Sequence, residues 1–130
     1  MKPIKKALLW IWQAPQHLLA LAILGTFKCA GRVVSLAEFH DKVIISVDVR
    51  MGLSLGSYIF VCQSYGEITL KHEQGHSVQS LLLGPLYLLV IGLPSISGNI
   101  YDRIRHKGSA WYYTQPWEAW ADRLGHITRT

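Results

Sequence analysis

Residues 71–84 read Lys71-His72-Glu73-Gln74-Gly75-His76-Ser77-Val78-Gln79-Ser80-Leu81-Leu82-Leu83-Gly84, and residues 116–122 read Pro116-Trp117-Glu118-Ala119-Trp120-Ala121-Asp122. The first stretch has a helical texture, with Thr69 placed as an N-cap and Gly84-Pro85 as a stop. On a helix His72 and His76 stand one turn apart on one face, so both imidazoles reach a single zinc ion at ~2.0–2.1 Å. Glu73 points about 100° around the same helix. There it lies beside the open coordination position and serves as general base toward a zinc-bound water. Chance supplies roughly 0.008 His-Glu-x-x-His patterns in a chain of this composition. The competing reading is a surface helix with two incidental histidines. Gly75 argues against it, because a helix-interior glycine costs roughly 1 kcal/mol relative to alanine and needs a compensating close approach.

A catalytic zinc takes three protein ligands and one water. Glu118 is the candidate third ligand, on a helix expected from about Pro116 to Leu124. Asp122 follows on the same helix face and is placed to accept the outer N–H of a ligand histidine. Read the other way, both carboxylates belong to a solvated acidic face paired with Arg123. The expected cofactor is therefore Zn2+ on His72, His76 and Glu118, with Glu73 catalytic and Asp122 orienting.

These residues resemble the gluzincins, the thermolysin-type zinc peptidases, whose pattern is His-Glu-x-x-His followed by Glu-x-x-x-Asp. The stretch Glu118-Ala119-Trp120-Ala121-Asp122 is similar to the Ala-Asp ending of the membrane-bound CAAX prenyl protease and HtpX-like heat-shock protease families. Lys71 to His76, Gly84 to Leu88 and Gly92 to Ser95 also resemble small uncharacterised bacterial membrane proteins. The resemblance covers residues 69–84 and 117–125. It implies the same ligand set, a peptide or protein substrate, and an oxyanion donor, for which Tyr112, Tyr113 and His126 are the candidates. The chain is far shorter than members of the large families, which leaves few segments to build a substrate cleft.

Composition narrows the setting. The 130 residues suit one domain, or a smaller one with a membrane segment. Half are hydrophobic and only 16% charged, against a usual charged share of about a quarter, and mean hydropathy is +0.21. The net charge of +5 does not point to nucleic acid, because the basic residues form no aromatic-interleaved stripe. They sit at Lys2, Lys5 and Lys6 and at Arg103, Arg105 and Lys107, flanking apolar segments, a pattern that favours membrane lipid as partner. Cys29 and Cys62 have no metal-ligand spacing and read as two small thiols.

The expected fold class is α+β. Residues 1–30 form an uncleaved membrane anchor or interfacial helix, with Trp10 and Trp12 near the headgroups. Residues 31–130 form a minimal zinc metallopeptidase-like domain. Within it, alternation over 43–50 and the run Ser57 to Cys62 predict two strands in a small antiparallel unit, joined by a turn at Gly52 to Gly56. The later strand is a candidate edge for a substrate backbone. After the His-Glu-x-x-His helix comes an apolar helical hairpin over 81–97, buried or re-entrant so that Glu118 returns to the metal. A polar loop over 97–109 and the C-terminal helix complete the chain, and Trp111, Tyr112, Tyr113, Trp117 and Trp120 serve as interfacial or core aromatics.

Two function classes follow. One is a membrane-associated zinc-dependent hydrolase, a peptidase using a Glu-activated water. The alternative is a non-catalytic, metal-stabilised membrane or interaction module, marked by a fourth protein ligand. A third reading, an apolar membrane protein with incidental histidines, predicts no stoichiometric zinc.

Overall fold

A computed structural model describes residues 2–39, 41–49, 51–64, 66–106 and 108–127. Arg50 and Lys107, which entered the strand alternation and the basic cluster above, lie outside them. The chain is mixed helix and sheet, as expected.

Two helices come first, α1 (Pro3–Trp12) and α2 (Ala14–Cys29), meeting at 90°. The single N-terminal helix of the sequence reading is thus divided. Pro15 explains the break: it has no N–H to donate and suits the first turn of a new helix. Among the described residues no single helix is long and apolar enough to cross a membrane. The bent pair has the length and composition only when taken together.

Four strands follow: β1 (Val33–Phe39), β2 (Lys42–Val47), β3 (Gly52–Leu55) and β4 (Tyr58–Cys62), in the sheet order β1-β2-β4-β3. The two strands read from the sequence, β2 and β4, lie side by side but run parallel, which corrects the antiparallel expectation. The stretch 52–56 is the reason. Instead of a turn it contributes β3, which reverses through Gly56 and Ser57 and pairs antiparallel with β4. Gly56 has φ +67°, the left-handed conformation that such hairpins assign to glycine. As a result β4 is interior, and the edge strands are β3 and β1.

Because side chains alternate across a strand, the central strands feed two cores. Ile45, Val47 and Phe60 face Ala20 of α2 together with Tyr87 and Ile91. Ile44, Ile59 and Val61 form the second cluster, against Leu70. Burying each such side chain contributes about 1.5–3 kcal/mol. α2 therefore shares a core with the sheet and the later helical run. Polar ties reinforce this. Trp12 donates its indole N–H to the Leu81 carbonyl (2.8 Å), and Gln16 donates to Ser80 and to the Gly84 carbonyl. His17 accepts the Ser57 N–H at 3.0 Å, pinning the β3–β4 turn to α2. Trp10 lies 5.1 Å from the His17 ring, so both N-terminal tryptophans take part in packing.

The remaining chain is helical. α3 (Glu67–Leu83) carries the two histidines; Gly66, not Thr69, occupies its N-cap position, with no side-chain cap. Gly84, at φ +55°, ends it as expected. A 3-10 turn (Gly84–Leu86) and a π turn (Leu88–Gly92) lead into α4 (Leu93–Arg105). The polar loop expected over 97–109 is mostly this helix, extended by the Arg103–Asn99 side-chain bond (2.8 Å) across one turn. Then come α5 (Ser109–Thr114) and α6 (Pro116–Leu124), the latter with the expected bounds.

The contact that positions the site is α3 against α6. A Cβ on Gly75 would stand 1.9 Å from the Ala121 carbonyl oxygen, and one on Gly125 would stand 2.1 Å from that of Lys71. This is the close approach that a helix-interior glycine implied. Helix propensity alone favours Gly75→Ala by ~1 kcal/mol, whereas overpacking backbone against backbone costs about 1–3 kcal/mol. The expected outcome is net destabilisation, read as a lower urea midpoint at unchanged m-value.

Candidate metal centre

α3 and α6 bring five predicted residues together. His72 and His76 project from one face of α3, their rings edge-to-face with centroids 4.6 Å apart. Glu118, in the first turn of α6, is fully buried, and its Oε1 lies 3.0 Å from Nε2 of each histidine. The solvated-face reading of Glu118 and Asp122 is excluded by this burial, at 0% and 7% exposure. The histidines are equally enclosed, so they do not belong to a surface helix.

Proton positions follow from the partners. Asp122 Oδ1 lies 2.7 Å from His72 Nδ1, and a carboxylate only accepts, so this ring nitrogen donates. Gln79 donates its amide N–H to the Trp117 carbonyl at 2.9 Å, which turns its Oε1 toward His76 Nδ1 at 2.6 Å. That nitrogen donates as well. In the neutral rings both Nε2 atoms then present lone pairs, and these converge on an oxygen that also has only lone pairs. Three donors of electron density aimed at one point need a cation or a proton between them. Bonds of ~2.0–2.1 Å in a tetrahedral zinc site set neighbouring ligand atoms ~3.3 Å apart, a few tenths more than the separations seen here. His72, Glu73 and His76 also offer one ligand atom each within 4.8 Å of one another. Among the described residues, the buried Oε2 atoms of Glu73 and Glu118 have no hydrogen-bond partner. The donor set of two imidazoles and a carboxylate fits zinc.

Electrostatics agree with the geometry. Burial alone would lower the His76 pKa, but the Glu118 carboxylate, assisted by Glu73 and Gln79, outweighs it and brings the value up to about 9. Burial would raise Glu118, yet its bonds to His72 and His76 hold it down at about 2. Glu73 is raised, chiefly by burial and further by Glu118, with the histidines opposing. A buried carboxylate with a raised pKa is suited to taking up a proton.

The three candidate oxyanion donors separate. The Tyr112 ring lines the same cavity as Glu73 and His76, and its hydroxyl meets Ser95 Oγ at 2.9 Å. Burial and the Glu118 charge push that hydroxyl above its ordinary pKa. Tyr113 packs edge-on against His72, centroids 5.0 Å apart. His126 is exposed and lines neither cavity beside Glu73. Two contributors escaped the sequence reading. Gln79 carried a signal, since it sits three residues after His76 on one helix face. Gly52 carried none: β3 passes so near that a Cβ there would stand 3.1 Å from Glu73 Oε1.

No family model, curated protein or solved structure matches the chain.

The His76–Glu118 pair fixes the pH behaviour of metal-free protein. A raised histidine pKa stabilises fully below the ordinary 6.5 and is lost as pH rises through about 9. A depressed carboxylate stabilises above the ordinary 4.5 and is lost as pH falls through about 2. After chelation, the Tm measured against pH should be highest between 4.5 and 6.5 and fall toward 9. A metal ion taken up by these ligands would displace that proton, so calorimetry of zinc addition at neutral pH in buffers of different ionisation enthalpy should find about one proton released.

Proposed function

We propose that the protein is a membrane-associated, zinc-dependent hydrolase acting as a peptidase. The observation that carries this reading is the convergence of both His Nε2 atoms on Glu118 Oε1 at 3.0 Å, with Glu73 alongside. His72, His76 and Glu118 would hold the metal, while Asp122 and Gln79 fix the tautomer and ring plane of one histidine each. Zinc, when bound, lowers the pKa of a coordinated water and polarises a substrate carbonyl. Glu73 takes the proton lost by water as its oxygen bonds to the carbonyl carbon. It then hands that proton to the amide nitrogen as the C–N bond breaks. Tyr112, which lines the same cavity as Glu73 and His76, would be the donor to the developing oxyanion.

The alternative, a closed structural site, rests on the nearness of Glu73 to both histidines, which would make it a fourth ligand. One experiment separates the two. Purified protein should contain about one zinc. Glu73→Gln should retain it while peptide hydrolysis falls by ~10²–10⁴; loss of zinc together with activity favours the closed site. Glu118→Ala should lose the metal, whereas Asp122→Asn should weaken binding by only about 10–100-fold.

Membrane association is supported by unpartnered apolar faces. Ile4, Leu8 and Ile11 on α1, and Leu89, Leu93, Ile96, Ile100 and Ile104 on the later helical run, are each 50–72% exposed at helical spacing. Lys2, Lys5 and Arg105 flank them, the arrangement of an interfacial helix on an anionic bilayer. In co-flotation with anionic lipid vesicles, Leu8→Glu and Ile104→Glu should each weaken binding at least about tenfold. Wild-type binding should fall as salt is added.

A further inference from the structure

Two cavities of opposite character meet at Glu73. The first, about 240 Å3, has apolar walls from Leu19 and Ile23 of α2, Leu53 of β3 and Leu88, Leu93 and Ile96 of the helical run. Its polar floor is Glu73, His76 and Tyr112. The second, about 750 Å3, carries Asp48, Ser64, Thr69, Asn99 and Arg103, and reaches His72 as well as Glu73. Gly52, Glu73 and Tyr112 belong to both, forming a waist between them. Any side chain at position 52 would press on the Glu73 carboxylate and narrow that passage.

Pockets that take whole small molecules run to ~300–1,000 Å3, so the apolar cavity suits one side chain rather than an entire ligand. Whatever fills it sets the next part of its chain directly over Glu73. Its rim residues Leu19, Leu93 and Ile96 are themselves exposed and continuous with the apolar surface of α2 and the later helices. An apolar segment therefore reaches the cavity along apolar surface, without crossing the polar cleft.

We infer that the substrate is a peptide with a large apolar residue beside the scissile bond, seated between α2 and the π turn, and a polar segment continuing past Glu73 along Asn99 and Arg103. This rests on the hydrolase reading. It makes α2 a wall of the substrate site, and Leu19, Ile23 and Leu93 determinants of specificity.

The test uses full-length, zinc-loaded Glu73→Gln protein and fluorescently labelled peptides that differ only in one central residue: Ala, Leu or Phe. Fluorescence anisotropy should show Leu and Phe peptides binding at least about tenfold more tightly than the Ala peptide, the discrimination an apolar pocket gives. Adding Leu93→Trp, at the exposed rim, should abolish that preference, and so should Ile23→Phe, which fills the cavity from the α2 side. Circular dichroism and zinc content identify a variant that has failed to fold, so that the other decides. Equal binding of the three peptides, no binding of any, or an unchanged preference in both folded variants overturns the inference. Size-dependent binding that disappears in the variants, with no hydrolysis of any of the peptides by the wild-type protein, upholds the cavity and sinks the hydrolase reading alone.

Discussion

At Gly75 the backbone of α3 comes so near the Ala121 carbonyl that no side chain fits between them, and Gly125 repeats the arrangement one turn along against Lys71. Everything in the candidate metal centre depends on this spacing. An imidazole and a carboxylate are short levers, and helices at the usual separation of 8–10 Å hold such groups apart unless their backbones are brought in. Gly75, the second x of the His-Glu-x-x-His stretch, is therefore not a local weakness in α3. It lets two chains of side chains overlap.

The same closeness creates an electrostatic difficulty. Three buried carboxylates, Glu73, Glu118 and Asp122, face two buried imidazoles with little water to screen them. Unpaired ions in such a setting are strongly unfavourable. A proton shared by His76 and Glu118 relieves part of this, and a divalent cation held there would relieve more. The orientation of the rings is divided between the helices. His76 is held by Gln79 of its own helix, His72 by Asp122 of the other, so neither helix can rotate without disturbing the lone-pair convergence.

How far the residues themselves foretold this differs from element to element. His72 and His76 were legible because helical periodicity converts a spacing of four into a shared face. α6 was legible because Pro116 marks a first turn and Gly125 an end. β3 was not, since Gly52-Leu53-Ser54-Leu55 has turn-like flanks and becomes a strand only by pairing with β4. The parallel pairing of β2 with β4 is a long-range choice with no local mark. β1 was missed because Val33–Phe39 is largely exposed and lacks a buried face to set a period of two. In α4, polar residues at 97–103 suggested a loop, yet Gly98 packs under Trp117 and Tyr112 and keeps the helix going.

The π turn carries a consequence of its own. Pro94 has no N–H and its ring excludes the carbonyl four residues back; the backbone responds by widening, so that Leu93 N–H reaches Leu88 five residues earlier. Such a turn holds one residue more than an ordinary helical turn, and each residue advances the helix by about 100°. Everything from Leu93 onward is thereby phased one step away from an uninterrupted helix. Excising a single residue between Leu88 and Gly92 would let the segment relax, and would swing Ser95 off the Tyr112 hydroxyl and Ile96 off the cavity rim. Chain length in this one turn, more than the chemistry of the residues in it, is the angular setting that aims α4 at the apolar cavity beside Glu73.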